Sequence, residues 1–200
     1  MKTIKNKQDN SAFEIDTTII NEHLIDCKDI DNLIIKGHLI IEHCINEFII
    51  KQSIAKIDIR KLNFSFLDKV EISRILGLFE INSGLYKNMV LLNTLRNSIA
   101  HNLKFNKKIL NEFLVSTDLK SLEIDKQLKN HDLFVKNENK EVYKVDLEYM
   151  KFMICISSLY AKIQLYIDIL LGNKLRFKRG LNPIIRKTLK SIKNNQKVKT

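Results

Sequence analysis

The chain has 200 residues, which is long enough for one domain with a sizeable core. Its 5 Gly and 1 Pro argue against collagen-like, Gly/Pro-rich disordered and turn-dense all-β chains, and its 44% hydrophobic residues argue against a wholly disordered one. The 34 Lys and Arg outnumber the 23 Asp and Glu, which gives a formal net charge of +11.

The excess positive charge is concentrated at the C-terminus. Residues 174–200 contain ten basic residues and no acidic one, whereas residues 1–173 contain 24 basic and 23 acidic residues, a net charge of +1. This division predicts a helical domain over 1–173, with its core in 28–104 and 147–172, and a basic helix or tail over 174–200. We expect the tail to follow a nucleic-acid backbone; the alternatives are binding to an acidic partner protein and a solvated end. The tail residues predicted to make this contact are Lys174, Arg176, Lys178, Arg179, Arg186, Lys187, Lys190 and Lys193.

The cysteine usage and the apolar stretches indicate the compartment. Cys27, Cys44 and Cys155 are far apart and form no Cys-x-x-Cys pair, so neither a zinc ribbon nor a disulfide framework is indicated. A reduced, intracellular compartment fits this usage. The Lys- and Asn-rich start of the chain is not typical of a secretory signal, and charged or polar residues interrupt the apolar stretches at 34–50 and 147–172. We therefore expect a cytoplasmic protein without a membrane span.

Apolar residues recur at steps of three and four in most of the chain, and this pattern predicts helices. In the first half we expect a long helix over 29–52, a connection over 54–66, a short helix over 67–77 that a glycine ends, and a third helix over 84–102 capped by Ser83. The residues of the short helix that are predicted to face inward are Val70, Ile72, Ile75 and Leu76.

The second half predicts two short, polar helices over 107–117 and 119–130, a small hairpin within 131–146 and a second long helix over 147–171. Pro183, at a first helical position, predicts the start of a final helix. The expected fold class is therefore all-α, a helical bundle with two long helices, a polar insertion and a basic C-terminal appendage.

The third helix carries the residues of chemical interest, Arg96, Asn97 and His101. Arg96 is predicted to lie at the edge of the apolar arc, while Asn97 and His101, four residues apart, share the other face. The residues predicted to form the apolar arc are Leu85, Met89, Leu92, Leu95, Ile99 and Leu103.

Arg96 and His101 are five residues apart, roughly 140° around the helix, and do not converge on one atom by themselves. Three routes to convergence are open: a frayed helix end at His101, a curled Arg96 side chain, or a second copy of the motif that faces the first across a two-fold axis. The plain structural alternative is an ion pair at Arg96 and a histidine at the helix end.

Arginine, then asparagine, then three residues, then histidine near the end of an apolar helix resembles the signature of HEPN domains (higher eukaryotes and prokaryotes nucleotide-binding). The order of the helices over about 28–104 is also similar to that family, with a long first helix that contains Glu42, a short helix, and then the motif helix. The resemblance implies an all-α, often dimeric domain. In active members two motifs form one composite site that cleaves RNA, such as tRNA or mRNA, without metal or cofactor.

The resemblance also implies the role of each site residue. His101 would be the general acid/base, Arg96 would contact the scissile phosphate, and Asn97 would orient the histidine or the phosphate. Glu42 would support Arg96 or His101. The protein would then be a toxin or an antiviral defence effector, with an antitoxin as a possible partner. Some family toxins have a modified tyrosine two residues after the histidine, where this chain has Leu103.

A second similarity gives the main alternative. The segment over 75–96 and the long helix after the motif are also similar to mannitol operon repressor-like proteins. These share the fold, and the similarity implies a non-catalytic regulatory or protein-interaction module.

The other histidines and the cysteines favour structural roles. His38 and Glu42 are four apart, but the sequence indicates no third metal ligand, so support of the structure or of the site is favoured. His23 and His131 are expected at the surface. Cys44 and Cys155 are expected to be core thiols.

Overall fold

The computed structural model describes residues 23–54, 58–80, 82–117, 133–136 and 141–171. Its elements in chain order are helix α1 (Ile30–Gln52), a single 3-10 turn (Ile59–Lys61), α2 (Phe66–Ile75), α3 (Ser83–Asn102), α4 (Lys107–Ser116), strands β1 (Leu133–Lys136) and β2 (Val142–Val145), and α5 (Leu147–Leu170). The described part of the chain is thus mostly helical, as the periodicity predicts. The helix expected over 119–130, the final helix and the basic tail lie outside the described residues.

The long helices α1 and α5 pack along each other and form the centre of the structure. They approach closely at Gly37, where an added Cβ would lie 3.0 Å from a side-chain carbon of Ile156 and 3.2 Å from one of Phe152. Helices α2 and α3 pack on α1, and α4 packs on α3 and α5. The motif helix α3 is therefore held from two sides.

Local side chains fix the ends of these helices. Asp29 caps α1 and Asp146 caps α5, each accepting a hydrogen bond from a backbone N–H three residues later. Ser65 and Asp68 form a reciprocal capping box on α2. The cap of α3 is Asn82, which accepts from the Gly84 N–H at 2.9 Å, so the prediction that Ser83 is the cap is wrong by one residue.

Helix α2 ends in a left-handed turn at Gly77, whose φ is +88°. The Leu78 N–H binds the Ser73 carbonyl and the Gly77 N–H binds the Arg74 carbonyl, which is the Schellman arrangement. The turn brings Leu78 into the core, while Ile75 is 82% exposed. The prediction that Ile75 faces inward is therefore wrong. The chain changes direction at Gly77, and Leu78 enters the core instead of Ile75.

The predicted hairpin is confirmed as an antiparallel pair in which Leu133 faces Val145. Two tyrosine hydroxyls, one on β2 and one at the start of α5, bind the segment before α1. The Tyr143 hydroxyl donates to the Ile25 carbonyl, and the Tyr149 hydroxyl donates to the Cys27 carbonyl at 2.7 Å. The polar insertion is thereby joined to the start of the first long helix.

Helix α5 is long and apolar enough to cross a membrane, with a mean hydropathy of 1.4 over an 18-residue window. Length and composition are the only support for such a span, and half of that window is buried inside the structure. A core helix of a folded domain meets the same criteria. Helix α5 packs along α1 and approaches it closely at Gly37. It is the one such candidate among the described residues.

Candidate functional site

The C-terminal half of α3 places three polar side chains of the motif at the surface. Arg96 and His101 are exposed, and Asn97 is half-buried between them. The Arg96 Nη1 donates a hydrogen bond to the Asn97 Oδ1 at 3.2 Å. Arg96 is more exposed than its predicted place at the edge of the apolar arc suggests, so its guanidinium is available to an anion from solution.

The imidazole of His101 is exposed and has no hydrogen bond or ion pair within the described part of the chain. Helix α3 continues through Asn102, so His101 lies on regular helix and not on a frayed end. No hydrogen bond joins Arg96 to His101 among the described residues. Of the three routes to convergence, fraying is therefore the one that this structure does not use.

The chain that follows His101 is fixed to the body of the protein. Leu103 ends α3 in the left-handed conformation, with φ of 57°, and its N–H binds the Ile99 carbonyl at 2.8 Å. The Asp31 carboxylate accepts from the Phe105 N–H at 3.0 Å, which ties this turn to the start of α1. The side chain of Leu103 is 85% exposed, so its predicted membership of the apolar arc is wrong.

Glu42 does not contact the motif as predicted. Its carboxylate binds the Lys69 Nζ at 2.6 Å and lies 3.9 Å from the His38 Nδ1, and no hydrogen bond or ion pair to Arg96 or His101 occurs among the described residues. The reason is the packing of α2 on α1, which brings the Lys69 ammonium to this carboxylate. Glu42 therefore belongs to a partly buried ion pair between α1 and α2.

His38, for which the sequence favours a role in supporting the structure or the site, lies on α1 next to Glu42. It is 4% exposed, and its ring centroid lies 4.2 Å from that of Phe66. Burial lowers its pKa to about 4, and the positive charges of Arg96 and Lys69 act in the same direction while the Glu42 carboxylate opposes them. His38 is therefore neutral near pH 7 and lies within electrostatic range of Arg96.

The charge around the motif is a feature that the net charge conceals. Residues 81–111 contain five Lys and Arg and no Asp or Glu, so the remainder of 1–173 has a net charge of −4. Lys107 binds the Glu148 carboxylate at 2.7 Å, whereas Lys104 and Lys108 are exposed without a hydrogen bond or ion pair in the described part of the chain. We call Arg96, His101, Lys104 and Lys108 the basic surface. The acid-free run in the sequence is the signal that could have identified it.

The other predicted site residues fall into two groups. The tail residues from Lys174 to Lys193 and His131 lie outside the described part of the chain, and His23 is exposed as predicted. Within the described residues no group of three or more His, Cys, Asp or Glu is placed to hold a metal ion.

The prediction that Cys44 and Cys155 are core thiols is confirmed. All three cysteines are free and buried. Burial raises the pKa of Cys44 and of Cys155 to about 12. Thiols of this kind are poor nucleophiles, because the thiolate is the reactive form.

Comparison with known proteins finds no matching family model, no matching curated protein and no matching solved structure. The geometry of α3 and the chemistry of its exposed residues are therefore the features on which a functional proposal is built.

Proposed function

We propose that the protein is a metal-independent endoribonuclease of the HEPN type, in which Arg96 and His101 of two copies form one composite site. The observation that carries the proposal is that an arginine and a histidine are both exposed on the last turns of one helix, within a stretch of sequence, residues 81–111, that contains five Lys and Arg and no Asp or Glu. Two copies that meet at this surface would bring each arginine to the histidine across the interface, since one helix alone keeps the two side chains apart.

The chemistry of RNA cleavage uses these residue types directly. A 2′-hydroxyl attacks the adjacent phosphorus, the His101 imidazole accepts its proton, and the bond from phosphorus to the 5′-oxygen breaks. The 5′-oxygen takes a proton from an imidazolium, which leaves a 2′,3′-cyclic phosphate and a 5′-hydroxyl. The Arg96 guanidinium binds the phosphoryl oxygens through its fixed fork of donors as charge develops on them.

Asn97 has a specific part in this arrangement. Its amide oxygen accepts from the Arg96 guanidinium and so restricts the rotamers of that side chain. His101, the proposed base, lies four residues further along the same face of the helix. Asn97 therefore lies between this histidine and Arg96, the proposed phosphate-binding group. A ribonuclease of this kind would serve as a toxin or antiviral defence effector that acts on tRNA or mRNA, restrained by an antitoxin.

The test is digestion of RNA in the presence of EDTA by the wild-type protein and by Arg96→Ala and His101→Ala. We expect cleavage with cyclic-phosphate products by the wild type and a loss of at least about 100-fold in each variant. Lys87→Ala is the matched control, because Lys87 is an exposed cation of the same helix about 21 Å from His101 by helical rise.

Equal cleavage by all four proteins would rule out the proposed site, and loss of cleavage on adding EDTA would rule out the metal-independent mechanism. Binding of a nucleic acid or protein without any cleavage would favour the regulatory module instead. Sedimentation of the wild type tests the dimer separately.

A further inference from the structure

The hairpin presents one face to solvent, and that face is both apolar and basic. Alternate residues of a strand point to opposite sides of a sheet, and the inner positions of this hairpin pack on the core. The four outward positions are Phe134, Lys136, Val142 and Lys144. Phe134 is 56% exposed and Val142 is 61% exposed. None of the four is acidic, so this surface, which we call the hairpin face, combines an aromatic ring with positive charge.

The register of the two strands sets the arrangement of the hairpin face. Phe134 lies directly opposite Lys144, and Lys136 lies directly opposite Val142. The two apolar side chains are therefore diagonal neighbours, and the two lysines occupy the other diagonal. Lys136 is exposed and makes no hydrogen bond or ion pair within the described residues. The aromatic ring thus shares its face with an ammonium group that is available to an anion.

Two contacts hold the hairpin at the end of the bundle where α1 begins. The Tyr143 hydroxyl donates to the Ile25 carbonyl, in the segment that precedes α1. The Lys28 ammonium, in the same segment, lies 3.8 Å from the carboxylate of Glu141, which directly precedes β2. The acidic residue closest in sequence to the hairpin face is therefore paired with a cation of another segment.

The motif helix ends at the same end of the bundle. The Asp31 carboxylate, on the first turn of α1, accepts from the Phe105 N–H at 3.0 Å, four residues after His101. The Lys107 ammonium binds the Glu148 carboxylate at 2.7 Å, and Glu148 follows β2 by three residues. The basic surface and the hairpin face are therefore connected through the starts of α1 and α5.

We propose that the hairpin face is an accessory binding site for single-stranded RNA, in which a base stacks on the Phe134 ring and the Lys136 ammonium binds a phosphate. The inference rests on the proposed function, because it extends the path of the substrate from His101 onto the hairpin. An exposed aromatic ring beside a cation suits single-stranded nucleic acid of any sequence, since every base has a face that can stack. The phosphate backbone supplies the complementary charge. An acidic protein would also complement the lysine, and the test separates it by its indifference to the aromatic ring.

The experiment measures the affinity for a uridine oligomer whose 2′-hydroxyls are methylated, so that no 2′-hydroxyl is present to attack the phosphate. We expect Phe134→Ala to weaken binding by at least about fivefold, the value for loss of one stacked base, and Phe134→Tyr to bind as the wild type does. Phe134→Leu keeps an apolar side chain without a ring and should bind as weakly as Phe134→Ala. Lys136→Ala should reduce the slope of log affinity against log salt by about 0.7, the value for one phosphate contact.

The matched control is Phe64→Ala, which removes another exposed phenylalanine from the connection before α2. This variant should bind the oligomer with wild-type affinity, and thermal unfolding checks that all the variants fold. If Phe64→Ala weakens binding as much as Phe134→Ala does, the effect is not specific to the hairpin and the inference is overturned. Wild-type affinity in Phe134→Leu would indicate an apolar contact, such as one with a protein, and overturns base stacking as well.

Crosslinking separates this inference from the proposed function, because it requires no cleavage. On irradiation, an oligomer that contains 4-thiouridine should crosslink to residues 133–136 of the wild-type protein, and much less in Phe134→Ala. If Arg96→Ala and His101→Ala cleave RNA as the wild type does, the proposed function fails, and binding and crosslinking still decide whether the hairpin holds RNA. Cleavage that depends on Arg96 and His101, without any crosslink to the hairpin, overturns the inference and leaves the proposed function intact.

Discussion

The Lys69 ammonium lies 2.6 Å from the Glu42 carboxylate, and the lysine side chain is only 9% exposed. Lysine is rarely buried to this degree unless it is paired. The pair joins α2 to α1, and the same carboxylate lies 3.9 Å from the His38 Nδ1. This relationship determines what replacement of either partner does to the protein.

Replacing Lys69 by Met should lower the free energy of unfolding by about 3 kcal/mol, because it leaves the Glu42 carboxylate partly buried without its cation. The double variant with Glu42→Leu should recover much of that loss, since an apolar pair replaces the ion pair. Urea denaturation of the single and double variants measures both values. Lys28→Met, which removes an exposed ion pair at 3.8 Å to Glu141, is the control and should cost less than about 1 kcal/mol. A double variant less stable than the single would contradict the assignment.

The stability of the protein should fall as the pH is lowered from about 6.5 to about 4. The pKa of His38 is lowered from its usual 6.5 to about 4 in the folded chain, so the unfolded chain binds more protons in this window. Burial is the main cause, with Arg96 on α3 and Lys69 on α2 adding to it and Glu42 on α1 opposing it. The loss is limited to about 3 to 4 kcal/mol, and it is complete below pH 4, the lower of the two pKa values.

His38→Met should flatten this part of the stability profile, because it removes the group that titrates differently in the two states. Thermal unfolding at half-unit steps of pH measures the slope for both proteins. An equally steep slope in His38→Met would assign the acid sensitivity to other groups.

Lys104 and Lys108 should contribute to RNA binding and not to the chemical step. Replacing both by Ala should raise KM several-fold, leave kcat unchanged, and reduce the slope of log affinity against log salt by up to about 1.4, the value for two contacts to single-stranded phosphates. Filter binding of a short RNA at several salt concentrations measures the slope. Lys87→Ala serves as the distant control, and an unchanged slope in the double variant would remove these lysines from the RNA-binding surface.

Deleting residues 174–200 should lower the affinity for RNA and its dependence on salt, because the deletion removes ten cations. We expect the described helices to keep their stability, because the described residues bury a hydrophobic core of their own. Circular dichroism and the same binding assay measure the two effects. Unchanged RNA binding by the shortened protein would assign the tail to a protein partner or to a solvated end.

The helices and the hairpin could be predicted from the sequence because their signals are local. Asp29 and Asp146 stand where helices begin, and Gly77 stands where α2 ends. Asn82 and Ser83 are neighbouring residues of similar capping ability, so the local pattern alone did not select Asn82 as the cap of α3.

The same division applies to the candidate site. Helical spacing depends only on neighbouring residues, and it is enough to place Arg96, Asn97 and His101 on one amphipathic helix. The contacts of other residues required the folded structure: Glu42 binds Lys69, His38 is buried, and Leu103 is exposed. Burial and ion pairing depend on which distant segments meet, and the packing of three helices sets those contacts in ways that no local pattern encodes.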